Sequence, residues 1–330
     1  MSKNQFIASL KPGDTVNDIF VLSEKTLSQK KDGNNYLNLV LSDRTGNLKA
    51  VVWDNVDVIA PQMLPGSHVQ VTGLVSEYRG MLQLVVRNAE KSSPDFAPDP
   101  TDFLPITTRN VNTMFERLVQ LTDTLNTPWL QELFKRFWAD DGFVQQFKTA
   151  PAAKRMHHAY LGGLLEHTLS MAILVDKIAG HYTGIDRDML MAGAILHDIG
   201  KIREFEYSSH IDYTTEGRLI SHIVIGVQMI DDKLKRMQNV PEDQAVLLKH
   251  LIVSHHGVRE FGSPEVPKTI EAVLLNHIDE IDSKVKGIRE FMASEDPGTA
   301  WTSYHKLLER QFYKGNPENG ILDSGDKRQE

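Results

Sequence analysis

Cysteine is missing from all 330 residues. Its absence removes disulfide staples, thiolate zinc sites, iron–sulfur clusters and cysteine nucleophiles in one step. An uncharged apolar run long enough to cross a bilayer is missing too; the best stretch, 161–180, is broken by Glu166, His167 and Asp176. The opening Met1-Ser2-Lys3-Asn4 leads into no apolar signal-peptide core. There is no excess of positive charge, since 36 lysines and arginines face 44 aspartates and glutamates, for a net charge of −8 with histidine neutral. A protein that coats nucleic acid through its overall field is usually basic. Any contact with nucleic acid must therefore rest on local clusters, while an enzyme of phosphate esters stays open. These absences together predict a reducing, cytoplasmic setting and no membrane partner. What is present, 41% hydrophobic and 24% charged residues, excludes wholesale disorder, and the length suggests two domains.

The first ninety residues read as strands and turns. In Tyr36-Leu37-Asn38-Leu39-Val40-Leu41 the leucines fall at every second position, the period of a strand with one buried face. The turn cluster Ser42-Asp43-Arg44-Thr45-Gly46-Asn47 follows, then an apolar strand over 48–53. Further strands are predicted over 18–25, 68–75 and, after the turn Tyr78-Arg79-Gly80, over 81–87. A helical insert is expected over 56–63. Five short strands with an insert between the third and fourth are the layout of an OB-fold barrel. The string Leu41-Ser42-Asp43-Arg44-Thr45-Gly46, running into Ala50-Val51-Val52-Trp53, resembles the nucleic-acid-binding OB family that includes anticodon-binding modules. Tyr36, Lys49, Trp53 and Arg79 are its candidates for contact with a single strand, although Trp53 also reads as core. A structural barrel without a ligand is the alternative.

Between 91 and 105 the texture changes to a proline-rich linker carrying Pro94, Pro98, Pro100 and Pro105. Beyond it, apolar residues recur at three- and four-residue spacing, and helices are predicted to begin near Asn110, Pro128, Asp141, Pro151, Arg187, Glu216, Pro241 and Pro267. The expected organisation is multidomain: a small all-β OB-fold barrel over 1–90, the linker over 91–105, an all-α helical bundle over 106–314 and a polar tail over 315–330. No internal repeat is visible.

The helical part carries a histidine and aspartate constellation: His167, His197-Asp198, His222, His255-His256 and Asp279. Each lies on or at the end of a predicted helix, with Gly200 and Gly257 as expected stops. Imidazole and carboxylate without thiolate suit a divalent ion such as Mn²⁺, Fe²⁺, Co²⁺ or Mg²⁺. Asp198 has two oxygens and can bridge two ions, and such a pair activates water and clamps a phosphodiester. Taken singly, each histidine reads more simply as a satisfied core residue. The joint pattern is what argues otherwise.

His167, His197-Asp198-Ile199-Gly200-Lys201, His222, His255-His256 and Asp279-Glu280-Ile281-Asp282 resemble the motifs of the HD superfamily of metal-dependent phosphohydrolases, over about 150–290. With an OB-fold in front, the resemblance narrows to the YhaM-type 3′-to-5′ exoribonucleases. The strings from Tyr213 to His222, and His255-His256-Gly257 with Glu260-Phe261-Gly262-Ser263-Pro264, are similar to that family's motifs. The resemblance implies that His167, His197, Asp198 and Asp279 hold a first ion, and that Asp198 bridges to a second bound by His222, His255 and His256. One ion is the alternative, as in many HD enzymes. The cyclic-dinucleotide branch carries Gly-Tyr-Pro after its histidine pair, whereas Gly257-Val258-Arg259 stands here.

Lys201 can point into the same pocket and neutralise charge on a phosphorane-like transition state; it also suits a helix end. Lys154, Arg155 and His158 form the nearest basic cluster and are candidates for phosphate contact, or a solvated face. Tyr213 and Phe261 could stack the terminal base, or pack as ordinary loop residues. Asp282, three residues beyond Asp279, could accept from a ligand histidine. The expected activity, implied by the resemblance, is manganese-dependent 3′-to-5′ hydrolysis of single-stranded RNA to nucleoside 5′-monophosphates. An HD nucleotidase or cyclic-nucleotide phosphodiesterase with a regulatory barrel, and a non-catalytic nucleic-acid-binding regulator, are the alternatives. Expected partners are single-stranded RNA, with single-stranded DNA as the variant, and further copies of the chain.

Overall fold

The computed structural model of the protein describes residues 3–93, 96–154 and 158–315. Its N-terminal part is a closed barrel of β1 (Thr15–Gln29), β2 (Asn35–Asp43), β3 (Gly46–Val52), β4 (His68–Tyr78) and β5 (Met81–Lys91). The strands follow in the order β1-β2-β3-β5-β4, antiparallel except where β3 meets β5. A short helix, α1 (Val56–Ile59), continued by a 3-10 turn at Ala60–Gln62, fills the connection between β3 and β4. Closure requires β1 to serve two neighbours. It pairs with β4 through 15–21 and with β2 through 21–29, bending at a bulge between Leu22 and Glu24. The strand is longer than alternation predicts because the bulge breaks its period and its second half lies in solvent.

Leu37, Leu39 and Leu41 face into the barrel opposite Val52, Ala50 and Leu48, as their spacing requires. Each such leucine removed from water stabilises the barrel by roughly 1.5–3 kcal/mol. The proline-rich stretch lies against the barrel: Phe103 packs on Ile19 and Val21, and the Asp102 carbonyl accepts from the Arg44 N–H at 3.1 Å. Pro94 and Asp95 of that stretch, and the expected tail from 316 onward, lie outside the described residues.

The helical part comprises α2 (Val111–Asp123), α3 (Pro128–Trp138), α4 (Asp141–Thr149), α5 (Gly163–Ala179), α6 (Arg187–Leu196), α7 (Lys201–Glu204), a small hairpin of β6 (Phe205–Glu206) and β7 (Asp212–Tyr213), then α8 (Thr215–Leu234), α9 (Glu242–Ser254) and α10 (Ile270–Ser294). Side chains of Asn110, Asp140, Asp186, Thr214 and Thr269 cap the starts of α2, α4, α6, α8 and α10 by accepting from the N–H three residues on. Helices α5 and α6 are apolar nearly all round and are buried in the core they share with α2–α4, α9 and α10.

No helix starts at Pro151. The helix there begins at Gly163, because the backbone of Leu161 is already committed: its N–H donates to the Pro105 carbonyl and its carbonyl accepts from Thr107, both at 2.9 Å. After α10 the chain leaves helical geometry, with antiparallel bridges Trp301↔Tyr313 and His305↔Arg310.

Gly200 is not a left-handed stop either. It has helical φ, −62°, and opens α7. Its bareness serves close approach, since a Cβ there would sit 2.0 Å from the His222 carbonyl oxygen. That contact draws α7 against α8. Among the described residues no helix is long and apolar enough to cross a membrane.

Candidate metal centre

Helices α5, α6, α8, α9 and α10, with the residues that follow α6 and α9, deliver seven side chains to one region. His167 lies in the second turn of α5. His197 closes α6 and Asp198 follows it, so that both leave the helix end toward the same space. His222 stands in α8 directly after Ser221, whose φ of 58° and ψ of 162° interrupt the helix. His255 closes α9 and His256 is next. Gly257, at φ 78°, turns the chain away at once, and a side chain there would collide with Asn276, whose Nδ2 donates to the His255 carbonyl at 2.8 Å. Asp279 projects from α10.

Two groups of atoms result, joined by Asp198. Nε2 of His167 is 3.2 Å from Nε2 of His197 and 3.5 Å from Oδ1 of Asp279. Oδ2 of Asp198 lies 3.2 Å from Nε2 of His197 and 3.7 Å from Nε2 of His167. Its other oxygen, Oδ1, is 3.4 Å from Nε2 of His222 and 3.7 Å from Nε2 of His255. Donor atoms of His222, His255 and His256 fall within 4.8 Å of one another.

The far nitrogens explain why these rings face inward as acceptors. Nδ1 of His197 donates to the Ala194 carbonyl at 2.9 Å and Nδ1 of His255 to the Ile252 carbonyl at 2.7 Å. Nδ1 of His256 donates to the Phe261 carbonyl at 3.0 Å. Nδ1 of His167 meets Oδ2 of Asp282 at 2.8 Å, and Nδ1 of His222 meets Oε1 of Glu204 at 2.9 Å. A carbonyl or carboxylate only accepts, so each Nδ1 carries a proton and leaves Nε2 as the nitrogen that faces the site. Such second contacts fix the tautomer in metal sites.

This donor set fits a divalent cation. Oδ1 of Asp198, Nε2 of His222 and Nε2 of His255 are buried without a hydrogen-bond partner. Each unmet buried group costs about 1–3 kcal/mol, and three of them pointing at one another demand positive charge between them. The electrostatics agree. Burial would raise the Asp198 carboxyl, yet Lys201 and His197 hold it well below the usual carboxylate range. Burial, with His197 and His256 nearby, drives the His255 imidazole down, which keeps it neutral and able to ligate.

Lys201 places Nζ 2.6 Å from Oδ2 of Asp198. Asp282 sits behind His167, accepting also from Ser170 Oγ and, at 3.2 Å, from Nε2 of His158. Burial would raise its carboxyl, but the bonds from His158 and His167 hold it far below the ordinary range. His158 is buried, with Nδ1 against the Tyr160 hydroxyl at 2.9 Å, so it braces the site instead of offering a solvent-facing phosphate contact. Lys154 pairs with Asp212 at 2.6 Å and lies over the Tyr213 ring. Arg155 lies outside the described residues. Phe261 is 71% exposed, on the turn strapped to His256.

On the barrel, Tyr36 and Trp53 stack with centroids 4.9 Å apart, and Lys49 is exposed on the outer side of β3. Arg79 occupies the β4–β5 turn, at the opposite end of the sheet from Trp53. Sequence reading missed Glu204. It is 18 residues from the histidine it contacts, and no local spacing relates the two.

Fold and site together define an HD-domain phosphohydrolase architecture behind an OB-fold barrel: the HD domain family matches residues 164–284, and the OB-fold nucleic acid binding domain family matches 21–91. The chain is 33% identical over 302 residues to the 3′-5′ exoribonuclease YhaM of Bacillus velezensis and to that of Bacillus subtilis, covering 92% of this chain and 95% of each relative. It is 32% identical over 306 residues to the YhaM of Oceanobacillus iheyensis, covering 93% and 96%. The chain belongs to the YhaM 3′-5′ exoribonuclease family.

Proposed function

We propose that this protein is a metal-dependent 3′-to-5′ exoribonuclease that hydrolyses single-stranded RNA to nucleoside 5′-monophosphates. Family membership supports the reaction and its direction. The observation that carries the chemistry is the pair of ligand-atom clusters joined by the two oxygens of Asp198, one of them with three buried polar atoms left unmet. His167, His197, Asp198 and Asp279 would hold one ion; Asp198, His222, His255 and His256 would hold another. Divalent ions, manganese being the one proposed, supply Lewis-acid activation of water and neutralise phosphodiester charge.

The chain's own residues do the rest. Asp198, kept ionised by Lys201, supplies charge to both clusters. Lys201 lies at the same oxygen and can stabilise negative charge developing at the ester. Phe261 and Tyr213 are proposed to stack the terminal base, and Lys154 to steer the backbone phosphate. The barrel, with Tyr36, Lys49, Trp53 and Arg79 as its proposed contacts, would hold the strand near the site and raise its local concentration. A cytoplasmic location belongs to the same proposal, since single-stranded RNA would be met there.

The test is a 3′-end-resolved degradation assay on a labelled oligoribonucleotide, before and after chelation and with manganese restored. Stepwise shortening from the 3′ end, lost with the metal and absent in Asp198→Ala, is the expected result. Full turnover by a folded Asp198→Ala protein would overturn the assigned site. Hydrolysis of cyclic or mononucleotides alone would move the protein to the nucleotidase reading.

A further inference from the structure

We infer that Glu204 is a positioning residue for His222 and thereby sets the affinity of the second of the two ion sites; the inference rests on the two-ion reading above. Glu204 is buried at the end of α7. Its Oε1 accepts two hydrogen bonds from one residue, from the backbone N–H of His222 at 2.8 Å and from Nδ1 of the same histidine at 2.9 Å. A single carboxylate oxygen therefore fixes both the peptide that carries the imidazole and the rotation and tautomer of the ring.

The need for that clamp is written in the backbone. Ser221 has φ 58° and ψ 162°, a conformation close to the region that only glycine adopts freely. Such a residue costs of order 1–3 kcal/mol and persists only where its surroundings over-determine it. Without an anchor on His222, α8 could relax toward regular helix, which would swing Nε2 away from Asp198. Glu204 supplies the anchor on the far side of the strained residue. A carboxylate on Nδ1 also makes the opposite nitrogen a stronger donor to metal.

Glu204 is itself held from both directions. Its carbonyl accepts from the Thr214 N–H at 2.9 Å, and the Thr214 hydroxyl donates to the Arg203 carbonyl at 2.8 Å. Gly217 packs so closely that a Cβ there would come within 2.3 Å of the Glu204 carbonyl oxygen. The hairpin leaving Glu204 reaches the barrel, where the Ser209 hydroxyl donates to the Gly66 carbonyl at 2.7 Å. The clamp is thus part of a braced segment, and nothing about it requires Glu204 to touch substrate.

The experiment titrates metal-free, full-length protein with Mn²⁺ and follows free ion by electron paramagnetic resonance. Wild type should show two binding events. Glu204→Ala should weaken one of them by about 10–100-fold and leave the other nearly unchanged, with its circular dichroism preserved. Glu204→Gln keeps an acceptor in place without the charge, and should recover part of that loss. Two unaltered events in Glu204→Ala would overturn the inference, and so would equal weakening of both, which signals general loosening. If the alanine variant does not fold, the glutamine variant decides: a several-fold loss confined to one event supports the clamp, and no change overturns it. A wild-type protein that binds one ion removes the second site and this inference while leaving the activity reading intact. One that binds none removes both.

Discussion

The half-buried Lys201 and the buried Asp198 form an ion pair in which the lysine Nζ approaches, at 2.6 Å, the same carboxylate oxygen that faces His197 and His167. The lysine therefore competes for charge with any ion held there, and its own role is legible in what its removal does. Lys201→Met should leave metal binding intact or tighter, because Asp198 no longer shares its charge. Turnover should fall by about 10²–10³, the cost of removing one preorganised donor to developing charge. Steady-state kinetics on an oligoribonucleotide, with metal content measured in parallel, separates the two effects. Weaker metal binding with unchanged kcat would assign Lys201 to structure alone.

Asp282 offers a second, independent handle. It accepts from His167, His158 and Ser170, and so controls which nitrogen of His167 faces the ion. Asp282→Asn replaces a pure acceptor by a group that can present N–H to the ring. Manganese affinity at the His167 cluster should drop about 10–100-fold while the helical circular dichroism stays the same. Unchanged affinity would mean that the inward-facing tautomer of His167 is set elsewhere.

Much of this arrangement is legible in the amino-acid sequence. Leucine alternation at 37, 39 and 41 located a strand because a barrel strand has one wet face. The His197-Asp198 doublet marked a site because its residue types suit a metal, and helix ends let neighbours converge. Legibility ended where contacts were long-range. Pro151 and the residues after it looked like a helix start, but Leu161 had its backbone bonds taken by 105–107. Gly200 looked like a stop, and its reason for being glycine is the backbone of α8. His158 belonged to a basic cluster by spacing, yet the fold buries it against Asp282. Glu204 and the interruption at Ser221 leave no periodic trace, because both are set by how α7 meets α8.

The Tyr36–Trp53 stack leads to a prediction about the barrel. The indole is 40% exposed, with Lys30 Nζ 5.2 Å from its centroid. An aromatic pair backed by a cation is a sequence-tolerant platform for bases, and each stacked base is worth about 1–3 kcal/mol. Trp53→Ala should raise KM for a long oligoribonucleotide by about 5–150-fold on that scale. Hydrolysis of a small phosphodiester, which does not reach the barrel, should be unaffected. Equal losses on both substrates would place the tryptophan in the fold and not in RNA contact.

His68 predicts how the barrel responds to acid. It lies on β4 with its ring edge-on to Phe96 and Phe103, and its Nε2 is buried without a hydrogen-bond partner. Burial pushes its imidazole below the ordinary value of 6.5. The folded chain therefore resists a proton that the unfolded chain accepts. As pH falls below about 6.5 the unfolded state takes up that proton first, so stability declines until the folded-state value is reached; above the window the histidine is neutral in both states and contributes no slope. The decline is bounded by about 1.4 kcal/mol per pH unit. His68→Phe keeps the ring contacts and removes the titration. Urea denaturation at pH 7.5 and 5.5 should show a smaller loss of stability on acidification in His68→Phe than in wild type, with the variant at least as stable as wild type at pH 7.5 because the unmet Nε2 is gone. An identical acid loss in both proteins would show that the ring is accessible enough to be protonated in the folded barrel, and would contradict its packing against the two phenylalanines.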